Sequence, residues 1–125
     1  MIESLSAVTL FTRDMAAAVD FYRNLGFQIK YGGAHASFTS FRAGPGFLNL
    51  MQVPPEETLG PWGRAIFYVT DVDAVHERAL QAGLTPEFAP SDAPWGERYF
   101  HIRDPDGHEI SFARPLDGSL DDARK

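Results

Sequence analysis

The sequence predicts an α+β protein built from two successive β-α-β-β-β halves. Three observations carry this. Thr12-Arg13-Asp14-Met15 through Leu25-Gly26-Phe27 overlays Val69-Thr70-Asp71-Val72 through Ala82-Gly83-Leu84 at a constant offset of 57 residues; strand end, helix cap, glycine stop and apolar restart stay in step. In each copy, apolar residues recur at three- and four-residue spacing, the period of one helix face. The remaining chain alternates β-branched and aromatic runs with Gly- and Pro-rich turns. The clearest is the hairpin from Trp95 to Phe112 around Asp104-Pro105-Asp106-Gly107.

Taken in order, residues 6–12 read as the first strand. Asp14 stands where a helix N-cap belongs, and Met15, Ala18, Val19, Tyr22 and Leu25 form the apolar stripe of the helix that follows. Gly26 ends it by accepting a left-handed C′ position. Strands are expected over 27–31, 36–42 and 47–53. Residues 54–63 hold Pro54, Pro55, Gly60, Pro61 and Gly63 and read as a linker. The second copy runs as a strand over 65–69, an N-cap at Asp71, a helix from Val72 to Ala82, a stop at Gly83 and a strand over 84–88. A loop over 89–94 leads into the hairpin. The polar, acidic stretch from Leu116 to Lys125 is expected to fray or to form a short surface helix. The chain is thus one domain over 1–125, with module 1 at 5–53 and module 2 at 64–114.

The chain has 125 residues, of which 44% are hydrophobic and 13% aromatic, enough to bury a core. A net charge of −6 and the lack of a basic stripe argue against a nucleic-acid partner. There is no cysteine, so disulfides and thiolate metal sites are excluded, and a reducing cytoplasm suits the composition. The start of the chain lacks the basic-then-apolar layout of a secretory signal, and no apolar run reaches the roughly 20 residues of a membrane span, so no membrane partner is expected.

Nucleophilic chemistry has little support, with no Cys and no Gly-x-Ser-x-Gly elbow. Gly44-Pro45-Gly46 is a turn and not a phosphate loop. Of the four histidines, His101 and His108 flank the hairpin and read as exposed polar sheet positions, with Glu109 on the opposite face.

Phe11-Thr12-Arg13-Asp14-Met15, Phe21-Tyr22, Leu25-Gly26-Phe27, Val69-Thr70-Asp71-Val72-Asp73 and above all Trp95-Gly96 with Arg103-Asp104-Pro105-Asp106-Gly107-His108 resemble the vicinal oxygen chelate superfamily. That group includes glyoxalase I, extradiol dioxygenases, and fosfomycin- and bleomycin-resistance proteins. The resemblance covers about residues 5 to 114. It implies two βαβββ modules forming a cup-shaped sheet, a homodimer, and in the enzymes one divalent metal held by side chains of both modules. The positions that carry those ligands fall here on Ala7, Arg64, Ser111, and Leu50 or Asn49. Alanine and leucine offer no donor, a guanidinium offers only N–H groups and positive charge, and a neutral hydroxyl is weak. No metal, no other cofactor and no catalytic residue is therefore expected.

What remains is an apolar, aromatic lining. Thr9, Phe11, Ile66 and Tyr68 share the faces of Ala7 and Arg64 by alternation. With a short hairpin turn, Arg98, Phe100 and Ile102 share that of Ser111. Trp62 and Trp95 stand at the rims. The expected ligand contacts are Arg64, Tyr68, Trp62, Trp95, Phe100, Ser111, Asn49 and Phe11. In style the chain is similar to the metal-free bleomycin-resistance-like proteins, which implies sequestration of an aromatic or antibiotic-like small molecule; Thr9 stands where those proteins carry the proline of an exchanged first strand. The alternative is an enzyme of the same superfamily working without the usual metal ligands. Arg64 would be its electrophile, and Tyr68 or His101 its acid/base.

Overall fold

Both helices are delimited by the same chemistry. In the computed structural model, which describes residues 1–122, α1 spans Met15–Asn24 and α2 spans Val72–Gln81. Asp14 and Asp71 are extended N-caps whose carboxylates accept from the third backbone N–H of each helix, Ala17 at 3.1 Å and Ala74 at 3.0 Å. At the other ends Gly26 and Gly83 take φ values of 101° and 78°. Phe27 N–H bonds Tyr22 C=O and Leu84 N–H bonds Ala79 C=O, so each helix closes in a Schellman motif.

Each helix packs on a four-stranded sheet with its one parallel pair between the first and last strands. The first sheet has the order β1-β4-β3-β2, from β1 (Ala7–Thr12), β2 (Ile29–Tyr31), β3 (Phe38–Ala43) and β4 (Gly46–Gln52). The second has the order β5-β8-β7-β6, from β5 (Arg64–Tyr68), β6 (Ser91–Asp92), β7 (Glu97–Arg103) and β8 (Glu109–Pro115). This is the α+β architecture of two βαβββ modules. A short α3 (Ser119–Asp122) follows. It falls in the expected polar tail, whose last three residues, 123–125, lie outside the described residues.

The chain divides into two compact units. Unit 1 comprises Met1–Trp62 together with Asp104–His108, and unit 2 comprises Gly63–Arg103 and Glu109–Lys125. In unit 1, α1 buries Met15, Ala18, Val19, Phe21 and Tyr22 over Leu10, Phe41, Leu48 and Leu50. In unit 2, α2 buries only Val72 and Ala79, over Phe100, Ile102, Ile110 and Phe112. The core of unit 2 is therefore built mainly by the sheet's own aromatic and β-branched residues.

Two expectations change. No strand forms over 84–88; the edge strand is instead Ser91–Asp92, inside the expected loop. Pro86 and Pro90 remove backbone donors from that stretch, leaving Glu87 N–H to His101 C=O as its one ladder-like bond among the described residues. The hairpin turn is also one residue longer than drawn. It runs from Asp104 to His108, closed by Asp104 N–H to His108 C=O, so Arg103 pairs with Glu109 and His101 with Ser111.

Candidate functional site

That extra residue decides which side chains face which way, because shifting a strand by one residue turns every side chain over. On the helix-free face of unit 2 three rows cross β5, β8 and β7. Arg64, Glu109 and Arg103 form one; Ile66, Ser111 and His101 the next; Tyr68, Ala113 and Tyr99 the third. Phe100 pairs with Phe112 on the other side. It is fully buried, with its ring edge-on to His76 of α2 at 5.2 Å. Phe100 and Ile102 are core residues and do not share the face of Ser111. Arg98 also lies on the helix side, where Asp73 and Asp92 hold its guanidinium. Glu109 sits on the face of His101, not opposite it.

The same register argument resolves the ambiguous position in unit 1. There the rows are Ala7, Phe47 and Arg42; Thr9, Asn49 and Ser40; and Phe11, Met51 and Phe38. Asn49 thus stands to Thr9 as Ser111 stands to Ile66, whereas Leu50 is fully buried under α1. Asn49 donates to Thr9 Oγ1 at 3.3 Å, and its Oδ1 is buried without a partner among the described residues.

The electrostatics of the two faces differ. Arg64 is ion-paired with Glu109, which also accepts from Arg103; Arg103 in turn holds Glu87 at 3.0 Å. Burial pushes the Glu109 carboxyl up, but Arg64, His101 and Arg103 together outweigh it and leave it below the usual carboxylate range. Burial and the Arg64 charge hold the His101 imidazole below its ordinary value, and its Nδ1 has no partner among the described residues. Tyr68 donates its phenol to Glu97, and that bond raises the Tyr68 pKa. Trp95 donates to the other oxygen of Glu97 at 3.0 Å. Ser111 is buried and donates to Phe100 C=O at 3.4 Å.

Trp62 belongs to unit 1, where its indole N–H donates to His108 Nδ1 at 2.8 Å. The proton of His108 therefore sits on Nε2, which bonds Phe11 C=O at 2.7 Å. His108 is 6% exposed, a buried link in the framework and not an exposed sheet position. In the same turn Tyr22 donates to Asp104 Oδ2 at 2.8 Å, while Asp104 Oδ1 accepts from the N–H groups of Asp106 and His108. Asp106 in turn accepts from Arg13.

Of the eight expected contacts, Arg64, Tyr68, Trp95 and Ser111 belong to the helix-free side of unit 2, Phe11, Asn49 and Trp62 belong to unit 1, and Phe100 belongs to a core. Glu97 and Tyr99 were not expected. Counting His108 into the turn would have aligned Glu97, Tyr99 and His101 with Ser111. A hollow of about 620 Å³ in unit 1, lined by Arg13, Asp14, His35 and Gln52 among others, contains none of the eight. The positions that the resemblance assigns to the enzymes' metal ligands are Ala7, Arg64, Ser111 and, by register, Asn49. One offers no donor, one an amide and one a hydroxyl, and the guanidinium is paired with a carboxylate. This donor set does not fit a divalent cation. No group of three or more His, Asp or Glu among the described residues could hold one elsewhere.

The family profile of the Glyoxalase/Bleomycin resistance protein/Dioxygenase superfamily matches residues 4–112. The chain belongs to this superfamily. Among similar solved structures, TioX from Micromonospora sp. ML1 is 28% identical with a TM-score of 0.73, over 91% of this chain and 100% of that one. A lactoylglutathione lyase of Agrobacterium tumefaciens (23%, TM-score 0.73, 90% and 94% covered) shares the fold. So does a bleomycin-binding protein in complex with bleomycin (22%, TM-score 0.71, 90% and 98%). One of these is a lyase and the other a binder, so the superfamily fold does not choose between the two. An uncharacterized protein of Mycobacterium tuberculosis is 50% identical over 48 residues, 38% of this chain and 28% of that protein; a Mycobacterium bovis protein matches equally over 32% of its length. The match thus spans about a third or less of these curated relatives. No helix among the described residues is long and apolar enough to cross a membrane.

Proposed function

We propose that the protein is a metal-free, non-catalytic binder that sequesters a flat aromatic or antibiotic-like molecule. The observation that carries this reading is the helix-free face of unit 2. Ile66, Tyr68 and Trp95 stand 59%, 49% and 65% exposed there, beside a neutral floor of Ser111 and Ala113. An exposed apolar surface of that kind costs solubility unless it is used, and it suits stacking against a ring system. Arg64, at a position where the enzymes place a ligand, suits an ion pair to a carboxylate or phosphate of the guest, in exchange with Glu109. Phe11, Asn49 and Trp62 of unit 1 are the remaining proposed contacts. The named bleomycin-binding protein shows only that this fold can serve such binding, and a homodimer, checked by sedimentation, is part of the reading.

Isothermal titration against a panel of flat natural products, bleomycin among them, tests it. At least one micromolar binder is expected, with affinity unchanged by a chelator and lowered about tenfold in Arg64→Ala or Tyr68→Leu. A panel with no binder and no thermal shift sinks it, as does binding that a chelator abolishes.

His101 favours a second reading. Its Nδ1, buried and without a partner among the described residues, and its depressed pKa suit a general base beside Ser111, in an enzyme that uses no metal. Glyoxalase, thiol-to-epoxide transfer or ring-cleavage turnover that is insensitive to chelator and lost in His101→Gln would select it.

A further inference from the structure

The third row of the unit 2 face has a property that the proposed binding of a flat ring does not require. Glu97 accepts from Trp95 Nε1 on one oxygen and from Tyr68 OH on the other, so two aromatic donors fix its carboxylate. A carboxylate has about four acceptor sites, so half remain open. No guanidinium or ammonium lies within ion-pair distance of Glu97 among the described residues, although Glu87, Glu109, Asp73, Asp92 and Asp106 each have an arginine. Tyr99 completes the cluster. Its ring lies 5.2 Å from that of Trp95, tilted by 48°, and register puts it across Ala113 from Tyr68. Ala113, between the two tyrosines in register, is small and itself buried, so it puts no bulky side chain between them.

We propose that Tyr68, Trp95, Tyr99 and Glu97 form a recognition site for an organic cation, an ammonium or amidinium group carried by the flat ligand. The proposal rests on the binding reading above and adds the ligand's charge and its orientation. Aromatic π-faces attract a cation, and a fixed, uncompensated carboxylate supplies the counter-charge. A hydrated inorganic cation fits less well, because rings cannot replace its water shell. The face is then polar along its length. Its cation-accepting end lies at Tyr68 and Tyr99, its middle at Ile66, Ser111 and His101, and its guanidinium end at Arg64 and Arg103. Raising of the Tyr68 pKa by Glu97 keeps the phenol protonated and in place as a donor.

The test uses two probes of one shape, (2-naphthylmethyl)trimethylammonium and neutral 2-naphthylmethanol, titrated into the full chain at 0.15 M salt. The cationic probe is expected to bind about tenfold tighter. Glu97→Gln is expected to bring the two within about twofold by weakening only the cation. Equal affinity of the two probes overturns the cation site and leaves the flat-ring reading standing. A cation preference that survives Glu97→Gln also overturns it, by assigning the preference to the net charge of −6. Binding of neither probe overturns both readings. Trp95→Leu, at a 65% exposed turn position where folding is not at stake, gives an independent arm. It is expected to cost the cation several-fold more than the alcohol, and an equal loss for both counts against the site.

Discussion

The two modules have the same chassis and different faces. Asp14 and Asp71 cap with nearly the same backbone angles, both helices have ten residues, and both end in the same hydrogen-bond pattern. On this common frame, module 1 sets Thr9, Asn49 and Ser40 where module 2 sets Ile66, Ser111 and His101, and Ala7 where module 2 sets Arg64. One face is mostly neutral; the other carries charged and titrating groups. The helices also differ inside. Tyr22, fully buried, occupies the helix position that Ala79 holds in α2, and its hydroxyl seeks an acceptor that only the 104–108 turn supplies. A repeat of backbone signals therefore determines where side chains stand without determining what they do.

The largest break in this symmetry is Asp104. Asp104→Ala leaves the Tyr22 hydroxyl and the N–H groups of Asp106 and His108 without their acceptor. It is expected to lower the unfolding free energy by about 3 kcal/mol in urea titrations. A loss below about 1 kcal/mol would mean that the turn does not complete unit 1. Burial raises the Asp104 pKa despite the Tyr22 bond, so the native state holds that proton more tightly than the unfolded chain. That contribution favours the native state most below the usual carboxylate range and fades as pH rises through the raised value.

The caps should behave alike. Asp14→Ala and Asp71→Ala are each expected to cost about 1 kcal/mol. Effects that differ by more than twofold would show that the unequal burial of α1 and α2 reaches their N-termini.

The smallest effect separates the faces by pH. Burial and Arg64 depress the His101 pKa, so the unfolded chain binds that proton more readily. Stability from this site is complete above the ordinary histidine value of about 6.5 and falls as pH drops toward the lowered one. His101→Gln should flatten that part of the stability profile. Ser40, its counterpart in module 1, does not titrate, and Ser40→Ala should leave the profile's shape unchanged.

The residue pattern alone determined the βαβββ repeat, both N-caps, both glycine stops and the superfamily. These features rest on local chemistry, in which a cap or a C′ glycine acts within one turn of chain. The face of each β7 residue was not local. It depended on whether His108 belongs to the turn, and that is settled by Trp62 and by Phe11 C=O, 46 and 97 residues away in sequence. One residue of turn length sent Phe100 into the core, raised His101 and Tyr99 onto the open face, and brought Glu97 between Tyr68 and Trp95. Strand alternation transmits a parity but cannot set it; only the long-range contacts that hold the turn could do that.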